Sequence, residues 1–284
     1  MLRAMGRHRV TVSQLPAWLD HGRLLGPGAW TYDAEDDRLR AACELERDAA
    51  ADLEARLRGV GLDGRLLQVE VSPSLSRTHR RRARTDDARR RRAGTPAFSN
   101  PKARVDEEGR AYLTPESLAD TMARRCHWPL VLDAGCGAGG NSLAFARAGM
   151  RVVAVERDAA RLELARHNAK IYGVADRIDF RLGDAAMAMR TWAADLGPQA
   201  GSALLFVDPP WGKDWDRART SVEDFPLLDV ALASRGSFAA LWAKLPASFE
   251  SSAVEGARTQ AYFGQGEGDD RRVKFVVMEL AGRG

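Results

Sequence analysis

Asp208-Pro209-Pro210-Trp211 places a carboxylate, a rigid turn and an aromatic face within four residues. The two prolines restrict the backbone of that turn. The Asp208 carboxylate and the Pro209 carbonyl can each accept an N–H bond from a planar exocyclic amine. Such an amine on a base is a poor nucleophile, because its lone pair is delocalised into the ring. Two fixed acceptors can aim the lone pair at an electrophile, an effect of orientation and not of covalent catalysis. Trp211 offers a face for a stacked base, worth roughly 1–3 kcal/mol. The bland alternative is an accidental Pro-Pro turn at a strand end.

What stands upstream argues against accident. From Pro129 the chain reads PLVLDAGCGAGGNSLAFARAGMRVVAVERD. The apolar run Leu130–Leu132 ends at Asp133, and a loop with Gly135, Gly137, Gly139 and Gly140 follows. A helical pattern runs to about Arg147, Gly149 stops it, and a second apolar run, Val152–Val155, ends in Glu156. Strand, glycine turn, helix, strand and acid make one βαβ unit with an adenosyl-cofactor site at its mouth. Glycines let the backbone approach a ligand closely. Glu156 stands about 20 residues past the loop, where an acid can hold two ribose hydroxyls. Gly135-x-Gly137-x-x-Gly140 also fits the dinucleotide fingerprint. Asp133 argues against that reading, since a carboxylate there sits badly beside a pyrophosphate. It sits well near the ammonium of S-adenosylmethionine, which has no phosphate.

The elements that must hold these residues alternate. Asp158 can cap a helix through Ile171, Ile178–Leu182 reads as a strand ending at Gly183-Asp184, and Ala185–Leu196 as a helix. Ala203–Val207 is a strand that runs into Asp208. A helix near Val222–Ala233 precedes a strand over Phe238–Ala243, and Thr259–Phe263 and Val273–Leu280 read as strands at the sheet edge. This order predicts an α/β fold with a doubly wound, mostly parallel, seven-stranded sheet of Rossmann-like type. Ligands then bind at the carboxyl ends of the strands, where Asp133, Glu156, Asp184 and Asp208 all fall. Asp184 alone could equally be a helix N-cap. Upstream, Thr114 is a candidate N-cap with Pro115 at the first helical position, for a helix to about Cys126.

The front of the chain reads differently. Residues 1–110 hold 22 Lys+Arg against 17 Asp+Glu, whereas residues 111–284 hold 21 against 22. Pro16–Leu19 suggests a short helix start. Leu39, Ala42, Leu45, Ala49, Leu53 and Leu57 recur every three or four residues, which predicts an amphipathic helix from Asp33 to about Arg58. Leu66–Val71 reads as a short strand. Arg77–Arg92 carries nine arginines against Asp86 and Asp87, either a phosphate-contacting segment or a solvated linker. The expected organisation is a small helical or mixed N-terminal subdomain (1–72), an Arg-rich linker or RNA-contact segment (73–105) and a cofactor-binding domain (106–284). Cys43, Cys126 and Cys136 are few, odd in number and without metal spacing, which fits a reducing cytoplasm and no metal site. No apolar run is long enough for a membrane span, and the first ten residues have no apolar core of a secretory signal. Oligomeric state is not legible.

From about Leu113 to Leu280 the motif set resembles class I S-adenosylmethionine-dependent methyltransferases. Within them, VLDAGCGAGGNSLAFARAGMRVVAVERD, LARHNAKIYGVADRIDF, DPPWG and the upstream EEGRAYLTPESLAD are similar to the trimethylguanosine synthase family, the RNA cap guanine-N2 methyltransferases. The resemblance implies methyl transfer to guanine N2 of an RNA, with Trp211 as the base-stacking tryptophan. It also implies that Thr114, Pro115, Asn141 and Asn168 line cofactor or substrate. That family usually has serine at the place of Asp208 and a second glycine at that of Lys213. Asp before Pro-Pro-Trp is common in adenine-N6 methyltransferases on RNA or DNA, so the base stays open. A non-catalytic RNA-binding module is the remaining alternative. The candidate site is thus Asp208, Pro209, Pro210 and Trp211 for chemistry, with Thr114, Pro115, Asp133, Gly135, Gly137, Asn141, Glu156 and Asp184 for the cofactor.

Overall fold

The structure is a computed structural model that describes residues 7–92, 97–211, 215–266 and 268–282; Thr95 and Lys213 lie outside them. The front of the chain gives β1 (Arg7–Pro16), α1 (His21–Leu25), β2 (Thr31–Glu35), β3 (Arg38–Glu46), α2 (Arg47–Leu57), β4 (Gly61–Leu62), β5 (Arg65–Leu66), β6 (Gln68–Ser72) and α3 (Arg77–Arg92). β2, β3, β1 and β6 form an antiparallel sheet in that order.

Two expectations fail here. The helix predicted from Asp33 exists only from Arg47 onward. Before it, Arg38, Ala41, Cys43 and Leu45 are buried while Arg40, Glu44 and Glu46 are exposed. That is close to the alternation of a strand, and it competes with the helical spacing in the same residues. Pairing with β1 on one side and β2 on the other decides the contest. Asp36 takes φ 55° in the β2–β3 turn, a conformation that aspartate tolerates. Pro16 ends a strand rather than opening a helix, and Asp20 caps α1 by accepting from Arg23 N at 2.9 Å. The arginine run forms one continuous helix rather than an irregular linker.

The rest of the chain gives α4 (Glu116–Ala123), β7 (Leu130–Ala134), α5 (Gly140–Arg147), β8 (Arg151–Glu156), α6 (Ala159–Ile171), β9 (Ile178–Leu182), α7 (Ala185–Leu196), β10 (Ala203–Val207), α8 (Pro226–Ser234), β11 (Ala240–Leu245), β12 (Arg258–Phe263) and β13 (Val273–Ala281). The seven-stranded sheet has the order β12-β13-β11-β10-β7-β8-β9. Strands β11 to β9 run parallel, while β13 is antiparallel to both of its neighbours. The mostly parallel doubly wound sheet expected from the sequence is present. Its central strands are apolar on both faces. Val131, Val152, Leu204 and Phe206 pack with Leu118, Met122, Leu143 and Phe145 on one side. Leu132, Val153, Leu205 and Val207 pack with Met189, Trp192 and Leu228 on the other.

Chain order reverses between β7 and β10, where β8 and β9 continue one way and β11 the other. That is the switch point at which open α/β sheets bind ligands, at the carboxyl ends of the strands. Because β13 is antiparallel to β11, with Leu245 opposite Val276, its starting end reaches the same rim. Residues 264–266 and 268–272, between β12 and β13, therefore lie on that rim. The N-terminal sheet and its helices dock there. Gly61 N donates to Arg217 O at 3.1 Å and Asp63 N to Ala247 O at 3.0 Å. Arg23 donates to Asp270 O and Gly264 O, and Arg56 to Arg271 O.

Candidate active site

Asp133 ends β7 on the switch point and is fully buried. Its Oδ2 accepts from Ser142 Oγ of α5 at 2.5 Å. Burial, reinforced by Asp208 and Glu156, pushes its carboxyl up to about 7, against the Ser142 bond and the charge of Lys244. The loop that follows needs left-handed backbone, with φ 93° at Gly135 and 56° at Gly137. At the end of β8, Glu156 Oε2 accepts from Gly137 N at 3.0 Å and Oε1 from Asp158 N at 2.9 Å. Those two bonds fix the carboxylate and leave lone pairs for hydroxyl donors.

Asp208 follows β10, beside Asp133. Its Oδ2 accepts from Asn141 Nδ2 at 3.0 Å, which ties the first turn of α5 to the Pro-Pro turn. Lys244 of β11 donates to both oxygens, at 3.0 Å and 2.7 Å, and is 4% exposed. The same ammonium lies 4.7 Å from the centre of the Trp211 ring. Trp211 is half-buried and meets Trp215 edge-on at 6.2 Å, with Pro209 buried and Pro210 exposed between it and Asp208. Sequence reasoning missed Lys244. The signal was one lysine inside the apolar strand ALWAKL, since a buried ammonium requires a partner.

Four predicted residues, Asp133, Asn141, Glu156 and Asp208, thus converge on one crevice. Thr114 stands near it: its carbonyl would lie 3.7 Å from a Cβ added to Gly140, where α5 begins. It does not cap α4. Pro115, with ψ 133°, is the cap residue, and α4 ends at Ala123 and not near Cys126. Thr114 is buried and its hydroxyl bonds no amide of the helix among the described residues. Asp184 is exposed at the end of β9, where Gly183 N donates to Glu156 O at 3.0 Å, and caps α7 by accepting from Met187 N at 2.9 Å. Asn168 is saturated by the backbone of Arg104 and Ala138, and so pins the preceding segment to the glycine loop.

Thr114 Oγ1, Asp133 Oδ1 and Asn141 Oδ1 are buried without a partner among the described residues. Orphaned polar atoms are rare in a finished core and mark a place for a ligand. Three carboxylates against one lysine disfavour a pyrophosphate and suit a cationic cofactor with hydroxyl and ammonium donors. S-adenosylmethionine meets those terms. Cys136 lies in the loop, where burial holds its thiol well above the usual range. Among the described residues no group of three or more His, Cys, Asp or Glu could hold a metal ion. No helix among them is long and apolar enough to cross a membrane.

The family model for RNA cap guanine-N2 methyltransferases matches residues 129–221. The chain is 33% identical over 115 residues to the trimethylguanosine synthase of Schizosaccharomyces pombe, covering 38% of this chain and 46% of that one. It is 34% identical over 80 residues to a 23S rRNA (uracil(1939)-C(5))-methyltransferase of Acidithiobacillus ferrooxidans, covering 28% and 18%. The chain thus spans less than half the length of these two curated relatives. A solved structure, a putative methyltransferase of Porphyromonas gingivalis, superposes with a TM-score of 0.51 at 15% identity, over 83% of this chain and 58% of that one. The part of the chain from Glu116 to Ala281 has the Rossmann-like fold of class I methyltransferases, and residues 129–221 within it resemble the RNA cap guanine-N2 methyltransferase family.

Proposed function

We propose that the protein methylates an exocyclic base amine in RNA, with guanine N2 as the target ahead of adenine N6. The observation that carries this reading is Asp208, held at the switch point by Asn141 and Lys244, with the Trp211 ring beside it. S-adenosylmethionine, when bound, supplies an electrophilic methyl group. Thr114, Asp133, Asn141 and Glu156 would hold it, through the orphaned atoms and the free lone pairs described above. Asp208 accepts one N–H of the amine and the Pro209 carbonyl the other, which leaves the lone pair directed out of the base plane. As the amine gains positive charge, the bond to Asp208 strengthens, so its contribution grows towards the transition state. Lys244 holds the carboxylate in place beside Asp133 through its two bonds. Trp211 carries the base on its face.

The cysteines support an amine acceptor over a ring carbon. Methylation at uracil C5 requires a nucleophile to add to the ring, and a thiolate is the usual one. All three cysteines are buried. Burial pushes Cys126 up to about 11 and Cys136 well above its ordinary value, so neither is a thiolate at neutral pH. Guanine is placed ahead of adenine because the family match runs through the Pro-Pro-Trp motif. The test is transfer from methyl-labelled cofactor to RNA, followed by digestion to nucleosides. N2-methylguanosine is the expected product. N6-methyladenosine alone would favour the adenine reading, to which Asp208 already points, and 5-methyluridine would overturn the amine mechanism.

A further inference from the structure

Six of the nine arginines of α3 fall into two sets; of the others, Arg82 and Arg89 pair with Asp86 of the same helix. Arg80 Nε bonds Glu54 of α2 at 3.1 Å, Arg90 bonds Asp52 of the same helix, and Arg91 Nε bonds Asp87 at 2.9 Å. Asp87 is buried and also pairs with Arg272, between β12 and β13. This set faces the protein and clamps α3 to α2 and to the rim of the large sheet. The second set faces outward. Arg77, Arg81 and Arg84 are exposed, and none has a carboxylate within ion-pair distance among the described residues. Their spacings of four and three put them on one stripe of the helix. With Thr85, Ala88, Arg89 and the edge of Arg80 they line a shallow groove.

Three like charges on successive turns repel one another. The clamp holds them in that arrangement, and an anion would relieve the repulsion. A row of guanidinium forks suits a row of phosphates. The stripe also stands on the helix that docks to the rim at whose centre Asp208 lies. The catalytic crevice, rich in carboxylates, cannot itself attract a polyanion, so the attraction must come from elsewhere on the surface. We propose that Arg77, Arg81 and Arg84 bind the phosphate backbone of the RNA whose base enters the site. This rests on the RNA reading above.

The experiment compares the full chain with its Arg77→Ala/Arg81→Ala/Arg84→Ala variant, with a single-stranded RNA oligonucleotide of mixed sequence titrated across a salt series. Loss of three phosphate contacts should reduce the slope of log affinity against log salt by about 2. Affinity near 0.15 M salt should fall by about tenfold or more. S-adenosylmethionine affinity and the melting temperature should hold, and the corresponding triple lysine variant should keep most of the slope. An unchanged slope overturns the proposal, and so does an equal loss of affinity for polyglutamate. Failure of the two readings can be told apart. If the wild type binds RNA through the stripe but methylates none, the proposed activity falls and the stripe stands. If it methylates RNA and the variant's slope is unchanged, the stripe falls and the activity stands.

Discussion

Two buried aspartates, Asp63 in the β4–β5 turn and Asp133 in the large sheet, have opposite surroundings. Asp63 is 3% exposed, and Asp133 is not exposed at all. Asp63 Oδ1 accepts from Ser251 Oγ and Ser252 N, both at 3.0 Å. Its Oδ2 faces Arg38 Nη2 at 3.3 Å and Trp18 Nε1 at 3.5 Å. Asp133 has one donor, Ser142, and an oxygen with no partner among the described residues. A carboxylate surrounded on all sides is a joint, here between the N-terminal sheet and the segment after β11. A carboxylate left half-met at a strand end is a receptor. Burial alone does not distinguish them; the count of donors does.

The comparison breaks first, if it breaks, at the joint. Asp63→Ala leaves the buried Arg38 with only the exposed Asp37, 3.7 Å away, as counter-charge and should cost roughly 3 kcal/mol of stability. Chemical denaturation measures this, and a loss under about 1 kcal/mol would deny Asp63 that role. At the site, Asp208→Ala should lower kcat by about 10²–10³, the usual loss for one preorganised polar group, with a smaller rise in KM. Unaltered kcat would move the chemistry elsewhere on the rim. The two tryptophans sharpen the contrast. Trp211, whose Nε1 has no partner among the described residues, should on change to Ala weaken RNA binding by roughly 1–3 kcal/mol. Trp18→Ala should alter stability and leave KM alone.

A pH-dependent effect follows from titration of Asp133. In the free protein its carboxyl holds its proton to about pH 7, against an ordinary value of 3.8. The folded state therefore binds more protons than the unfolded chain between these values. From this group, stability falls as pH rises from about 4 to 7 and levels off above. A cationic cofactor requires the ionised form, so its binding should weaken below pH 7, by up to about tenfold per unit. Calorimetry across that range tests the sign. Asp133→Asn should abolish the dependence, and an equal pH response in that variant would assign it to another group.

The large sheet was legible because its strands are short apolar runs closed by an acid or a glycine, as in Leu130–Asp133 and Ala203–Asp208. Each is buried on both faces and leaves no competing pattern. The N-terminal sheet was not, because Leu39, Ala42 and Leu45 fit a helical face as well as Ala41, Cys43 and Leu45 fit a strand. Alanine is at home in both, and only pairing with β1, some thirty residues earlier, decides. In the site, Asp133 and Asp208 were visible as strand-end acids. Their surroundings were not: Lys244 reaches Asp208 from 36 residues away. Local spacing makes Thr114 a candidate helix cap, whereas Pro115 takes that place and the Thr114 hydroxyl is buried without a partner among the described residues.

The docking of the N-terminal sheet also has a consequence in time. Arg23 finds Asp270 across 247 residues, Arg56 finds Arg271 across 215, and Asp87 finds Arg272 across 185. Synthesis at about 5–20 residues per second leaves the leading part without its seat for roughly 10–50 s. During that interval Arg56 and Asp87, both buried in the finished fold, are left open to solvent. Chains stalled just before Gly264 should therefore be far more sensitive to protease in the first ninety residues than chains released whole.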